Sequence, residues 1–407
     1  MRLNALDVFA GCGGLSLGLA QSGWNIVAAC EVDKWAAETY TTNHPKTSLF
    51  NQSVHDLTSK FLKRHFRGEI DLIAGGPPCQ GFSVSGKRQY GVSIDSNHLL
   101  FEFIRIVGDV RPSMFLMENV RGFATARVDG KIKALPALKE AMQKLGYHVY
   151  VTTLQAADYG VPQFRTRIFV VGSLSELPYS PFPSPTHSAT GLGKTKQHRS
   201  VGEAISDLPR IEAREGTDGP QRYTESPANS YQRYLRRGSS SVYNHEAMKH
   251  TRRLVQRFAA IPPGGSGYRI GRTAFTGTEP PVTVYKMNNQ RLIEHLPSLC
   301  ITANFQSNYI HPILHRNLTA REAARIMSFP DAFILRGKRT LMSSSLLVAE
   351  NRTEENYLSQ YNQLGNAVPP LLAKLIADRL GTLISGNHHS SRLANRVPHQ
   401  LSLSIAS

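Results

Sequence analysis

The sequence predicts an α/β chain built on a doubly wound, mostly parallel sheet. Three observations carry that prediction. Short apolar runs alternate with longer amphipathic ones through the first half, and glycine-bearing or charged turns follow directly on those runs. Hydrophobic residues make up 41% of the 407 positions and aromatics 8%, enough to build real cores.

The apolar runs at 5–9, 25–30, 72–74, 114–117, 148–154 and 167–171 read as buried strands. Between them, segments 15–21, 34–40, 99–107 and 135–145 place apolar residues every three or four positions, as amphipathic helices do. Sheets wound in this way bind their ligands at the carboxyl ends of the strands. The residues that follow each strand are therefore the functional candidates.

The first strand runs into Asp7-Val-Phe-Ala-Gly11-Cys12-Gly13-Gly14, with Gly18 four residues on. Glycines at a strand-to-helix turn let a ligand approach the backbone closely. Glu31 ends the second strand, twenty positions after Gly11, where an acid accepts hydrogen bonds from ribose hydroxyls. A dinucleotide fingerprint needs glycine where Ser16 stands, which argues against a nicotinamide dehydrogenase. A nucleotide-like cofactor and a plain tight turn both remain open.

The third strand leads into Gly75-Gly-Pro-Pro-Cys79-Gln-Gly-Phe-Ser83. A lone cysteine is usually a small buried hydrophobe, but a stiff Pro-Pro loop at a strand's carboxyl end exposes its thiol, and the thiolate is the reactive form. The fourth strand ends in Glu118-Asn119-Val120, where the acid is either a ligand contact or a loop charge. Gln163-Phe-Arg165-Thr-Arg167 places two arginines two residues apart as a strand begins, so both project to one face. Each has an ordinary structural explanation taken singly. A thiol, a carboxyl and an arginine pair at one sheet edge form a set able to hold, protonate and attack a heterocycle.

Lys and Arg number 47 against 30 Asp and Glu, a formal charge of +17, which points to a polyanionic partner. Residues 1–180 carry a net charge of +4, and the remainder +13. Between Tyr231 and Phe275 nine basic residues interleave with aromatics around a single acid, Glu246, the expected footprint of a phosphate-contacting surface. Pro178, Pro181, Pro183 and Pro185, then a polar stretch to Ser200, mark a linker between the halves. After Ile384 the apolar periodicity stops, and a loose tail is expected. Cys12, Cys30, Cys79 and Cys300 lack paired or metal-type spacing, so a reducing compartment without disulfides or a metal site is expected. No apolar run has membrane-spanning length and the start does not read as a leader, so a cytoplasmic protein is expected.

Taken in order, these motifs resemble those of the DNA (cytosine-5) methyltransferases. The resemblance runs from Asp7 to about Leu372 and includes two further segments, Arg316-Asn-Leu-Thr-Ala-Arg-Glu-Ala-Ala-Arg325 with Ser328-Phe-Pro-Asp331, and Gln363-Leu-Gly-Asn-Ala-Val-Pro-Pro370. It implies a Rossmann-like methyltransferase fold with a smaller DNA-recognition domain: residues 1–185 catalytic and cofactor-binding, 186–350 target recognition and hinge, 351–384 returning to the catalytic domain, 385–407 a flexible tail. It implies Cys79 as nucleophile, Glu118 as acid at ring nitrogen 3, Arg167 on the carbonyl oxygen at carbon 2, and Arg165 in support. Phe9, Gly11, Gly13, Glu31, Asp33, Asp56, Pro78, Leu100 and Asn366 would line the S-adenosylmethionine site. Tyr268, Arg269 and Arg272, after the 262–267 stretch, could enter a DNA groove.

The implied partner is double-stranded DNA, bound by a monomer. A bacterial or archaeal modification enzyme of this kind would have a cognate restriction endonuclease acting on the same sequence without stable binding. Relatives that methylate transfer RNA share the catalytic motifs, and a catalytically inactive DNA-binding regulator would share the basic half. Two departures from the family pattern concern local packing: Met327 stands where glutamine is commoner, and the 336–361 stretch is longer than usual.

Overall fold

The computed structural model describes residues 2–78, 98–128, 132–267, 288–303, 305–340, 347 and 357–394. Strands β1 (Asn4–Val8), β2 (Asn25–Cys30), β3 (Ser48–Phe50), β4 (Leu72–Gly75) and β5 (Met114–Val120) run parallel. After a two-residue ladder, β6 (Arg127–Val128) with β7 (Ile132–Lys133), strands β8 (His148–Gln155) and β9 (Thr166–Ser173) complete a seven-stranded sheet in the order β3-β2-β1-β4-β5-β9-β8. Because β9 is antiparallel to both neighbours, its amino end lies at the carboxyl edge of the parallel strands. That reversal brings the Gln163–Arg167 element to the same edge as the ends of β1, β2, β4 and β5.

Helices cover both faces, as a doubly wound sheet requires. Along β5, Phe115 and Met117 join Leu62, Phe103, Ile106 and Leu138 on one face. These partners come from α3 (Ser59–His65), α4 (His98–Val110) and α5 (Ala134–Lys144). Met114 and Leu116 face the other way, toward Leu15 and Leu19 of α1 (Gly14–Gln21) and toward Leu372, Ile376 and Leu380. The period-two alternation of a strand makes this sorting. Helix α2 (Lys34–Asn43) lies between β2 and β3 in the chain, capped by Asp33, whose carboxylate accepts from the Ala36 N–H at 2.9 Å.

The second half has little regular structure among its described residues. Its short helices are α6 (Val201–Ile205), α7 (Ser230–Leu235), α8 (Arg252–Ala259) and α9 (Ala320–Ile326). Buried arginines replace ladders as its framework. Arg291 donates to the carbonyls of Phe258, Ile261, His311 and Leu314, and Arg316 forms a two-pronged pair with Glu322 at 2.8 and 2.7 Å. Arg325 grips Asp331 at 2.9 and 2.6 Å and also Asp207. The charged residues of the 316–331 signature are thus internal struts.

The chain then returns through α10 (Gln360–Asn366) and α11 (Pro370–Ala394). Helix α11 packs on α1 where Gly18 has no Cβ: one there would stand 2.4 Å from the Ala373 Cβ. This helix continues to Ala394, ten residues past the point where apolar periodicity stops, so the expected tail begins as helix. The interleaved aromatics also differ from expectation. Tyr231 and Phe258 are buried core residues, whereas Arg233, Arg237, Lys249 and Arg252 are exposed. An amphipathic surface helix sorts its residues in this way, so the spacing of Tyr231 and Phe258 reflects packing.

Candidate active site

Two adjoining clusters occupy the carboxyl edge of the sheet. At the end of β1 the backbone enters the left-handed region at Phe9 (φ 60°), Gly11 (φ 55°) and Gly13 (φ 92°). A non-glycine residue there is strained, and such strain collects at functional turns. A Cβ on Gly11 would meet nothing within 4 Å among the described residues, so the turn is open to an incoming group. Gly13 has a different reason: a Cβ there would stand 2.5 Å from the His44 ring. The sequence assigned both to one ligand. Gly11 leaves room for it, and Gly13 admits a protein side chain.

Glu31 is fixed by this turn. Its Oε2 accepts from the Gly11 N–H at 2.7 Å and its Oε1 from the Asp33 N–H at 2.8 Å. Each oxygen keeps a lone pair for a hydroxyl donor. Burial raises its pKa against the pull of those N–H groups. The next side chain, Val32, is 67% exposed, an apolar surface beside the carboxylate. Asp33 caps α2 and holds the Leu358 N–H at 2.8 Å, which ties the C-terminal segment to this cluster. Asp56, Pro78 and Asn366 are exposed, while Leu100 is a core residue of α4.

The second cluster surrounds Glu118, near the end of β5 and 8% exposed. Arg167 on β9 places Nε 3.0 Å from Glu118 Oε1, an ion pair not aligned as a hydrogen bond, and Oε1 has no donor among the described residues. Burial raises the carboxyl pKa, and the guanidinium groups of Arg167 and Arg165 oppose the rise. Gly76 stands close by, its would-be Cβ 3.3 Å from Oε2. Asn119 donates to the Pro77 carbonyl at 3.1 Å and so anchors the start of the thiol-bearing loop to β5. Cys79 and the rest of 79–97 lie outside the described residues.

Arg165, 1% exposed, turns away from Glu118's carboxylate oxygens to grip backbone. It donates to the carbonyls of Ile301 at 2.6 Å, Gly365 at 2.9 Å and Ala367 at 2.8 Å. The last two flank Asn366. Gln163 supports the same junction, accepting from the Ile301 N–H at 3.0 Å and donating to Met327 Sδ at 3.0 Å. The unusual Met327 thus still serves as the acceptor for Gln163.

A sequence model of the C-5 cytosine-specific DNA methylases matches residues 3–382. The chain belongs to this family. Type II methyltransferase M.DdeI of Desulfomicrobium norvegicum is 42% identical over 385 residues, spanning 93% of this chain and 88% of that one. M1.HphI of Haemophilus parahaemolyticus is 32% identical, spanning 93% and 86%. A solved structure described as a DNA modification methyltransferase encoded within an E. coli prophage matches 94% of this chain and 100% of its own, with TM-score 0.71 and 25% identity. DNMT2 of Spodoptera frugiperda, at 18% identity and TM-score 0.55 over 94% and 100%, shares the fold.

The methylase thus transfers a methyl group from S-adenosylmethionine to carbon 5 of cytosine in DNA. The β1–β2 cluster fits that cofactor: an open cradle at Gly11, a carboxylate with lone pairs for ribose hydroxyls, and an exposed apolar side chain for a purine face. Among the described residues no three His, Cys, Asp or Glu side chains gather as metal ligands, and no helix is long and apolar enough to cross a membrane. Three contributors escaped the sequence reading. Asn119 and Gln163 lay inside motifs without a role of their own, and Val32 carried only its position after Glu31. Tyr268, Arg269 and Arg272 lie outside the described residues, as does most of 341–356.

Proposed function

We propose that this methylase modifies cytosine within a specific duplex sequence through a covalent adduct of Cys79 with an everted base. The observation that carries the reading is the buried Glu118 beside Arg167, three positions after β5's core-facing Phe115, with Asn119 holding the Pro77–Pro78 lead into the nucleophile loop. Carbon 5 of cytosine is a poor nucleophile and is inaccessible in a stacked duplex, so the base must swing into the pocket. The Cys79 thiolate then bonds to carbon 6 while ring nitrogen 3 takes the proton of Glu118, leaving an electron-rich enamine at carbon 5. A dry site keeps that carboxyl protonated, and Arg167 holds the oxygen at carbon 2. Bound S-adenosylmethionine supplies an electrophilic methyl group. After methylation, loss of the carbon 5 proton to water expels the thiolate, and return of the nitrogen 3 proton to Glu118 restores the neutral ring.

Gly11, Glu31, Val32 and Asn366 would hold the cofactor, with Phe9, Asp33 and Pro78 beside them and Asp56 and Leu100 at the periphery. Arg165 acts as a positioning residue, because its donors reach backbone carbonyls rather than a base. The enzyme works as a cytoplasmic monomer, the modification partner of an endonuclease that cuts the same unmethylated sequence. Bisulfite sequencing of DNA from cells expressing the protein tests this reading. One protected sequence context, with no methyl transfer to RNA in parallel, supports it; unmodified DNA or random context refutes it.

A further inference from the structure

The catalytic element and the second half meet in a short parallel pairing. Gln163 bridges Ser298, the Phe164 N–H donates to the Ser298 carbonyl at 2.8 Å, and the Ser298 N–H donates to the Pro162 carbonyl at 2.9 Å. Side chains alternate across this pair as the strand period requires. Gln163 and Ser298 are fully buried, and Arg165 lies 3.8 Å from Cys300 Sγ on the same inner side. Phe164 and Leu299 therefore point outward together, 39% and 42% exposed. Leu296 nearby is 43% exposed.

Two large apolar side chains held outward side by side by fully buried neighbours form a small apolar contact surface. The register places them beyond the carboxyl edge of the sheet, Phe164 three residues before Arg167. Their surroundings are basic. The His198 ring meets Phe164 edge-on at 5.9 Å, and Lys194 and Lys196 are exposed before it, whereas Arg199 is held by the Gly160 carbonyl at 2.8 Å and the Tyr231 ring. Among the described residues Asp158 binds His198 at 2.8 Å, and Glu294 is exposed two positions before Leu296. Apolar centre and cationic margin match a nucleic-acid strand, whose bases and sugars are apolar on their faces and whose phosphates are anionic.

We propose that Phe164 and Leu299 form a contact for the DNA strand carrying the target, packing on the sugar and base beside the everted cytosine and so favouring the flipped state. The proposal rests on the base pocket being at Glu118 and Arg167. Because one residue comes from each half of the chain, the contact forms only when the two halves are correctly docked.

The test uses Phe164→Ala and Leu299→Ala, each assayed under single-turnover conditions on the site located by bisulfite sequencing. One duplex is fully paired, and the other has an abasic site opposite the target cytosine, where flipping is already favoured. On the paired duplex each variant should lose about tenfold in rate, the scale of one lost stacking contact. On the abasic duplex both should approach wild type. Unchanged melting temperature and cofactor affinity would show that the fold and the neighbouring Arg165 junction are intact. Wild-type rates on the paired duplex, or an equal loss on both, would overturn the proposal. Glu118→Ala that methylates both duplexes at the wild-type rate would refute the pocket assignment, and this contact with it.

Discussion

Glu118→Gln separates the acid from its shape. The glutamine amide fills the same volume and can still face Arg167, whose Nε stands 3.0 Å from Glu118 Oε1. It can donate a hydrogen bond to ring nitrogen 3 but cannot give up a proton. A positioned general acid contributes about 10²- to 10⁴-fold, or roughly 3–6 kcal/mol of barrier at about 1.4 kcal/mol per tenfold. Retention of the hydrogen bond argues for the lower half of that range, about 10² to 10³. DNA affinity should change little, because it derives mainly from phosphate contacts outside the pocket.

The pH profile supplies an independent sign. Burial raises the Glu118 pKa, so the protonated, active form persists above the ordinary carboxyl range and is lost as pH rises through the raised value. Wild-type single-turnover rates should therefore show a descending limb on the alkaline side of that pKa, absent in Glu118→Gln. Rapid-quench methyl transfer across pH, with DNA binding measured in parallel, decides the matter. A variant with wild-type turnover, or one that keeps the descending limb, would refute the acid role.

Three further outcomes are expected. Arg165→Lys should weaken S-adenosylmethionine binding more than DNA binding in calorimetric titrations, since one ammonium cannot span the carbonyls of Ile301, Gly365 and Ala367 around Asn366; unchanged cofactor affinity would remove the clasp. Asp7, buried with Oδ1 unpaired, has a pKa raised to about 7 by burial, so it favours the native state while protonated and loses that contribution as pH rises from the ordinary carboxyl value through 7. Asp7→Asn should accordingly gain melting temperature relative to wild type between pH 5 and pH 8, and a pH-independent difference would contradict the assignment. DNA affinity should fall with salt on a log–log plot, by a slope of about 0.9 per neutralised phosphate, and the slope should shrink on replacing Lys249 and Arg252; a flat plot would exclude that face.

Most of the sheet was legible because its longer strands each carry their own signal. The run at 25–30 appears as β2 with the same bounds, and 114–117 extends three residues into Glu118-Asn119-Val120 because β9 continues the ladder there. Strand β3 escaped notice since three residues, Ser48–Phe50, offer no period to detect. The second half was opaque for another reason. Its order depends on long-range arginine contacts, such as Arg325 with Asp207 across 118 positions, which leave no local pattern. Glu31 and Glu118 stood out in the sequence because they close strands, and Arg167 because it begins one; the structure brings all three to the same sheet edge. Arg165's grip on three distant carbonyls could not be read from its spacing, which it shares with Arg167.

The central claim is covalent catalysis by Cys79, and a duplex bearing 5-fluorocytosine at the target position tests it most directly. Once Cys79 has bonded to carbon 6 and carbon 5 is methylated, release requires loss of the carbon 5 proton, and fluorine cannot leave in that way. Wild-type enzyme with S-adenosylmethionine should give a heat-stable, denaturant-resistant protein–DNA band, absent without the cofactor and absent in Cys79→Ser, whose hydroxyl is a far weaker nucleophile than a thiolate. Cys12 and Cys30 are buried with thiols pushed up to about 12, so their alanine variants, and that of Cys300, should retain the band. Its persistence in Cys79→Ser, or its absence in wild type where ordinary DNA is methylated, would contradict the mechanism.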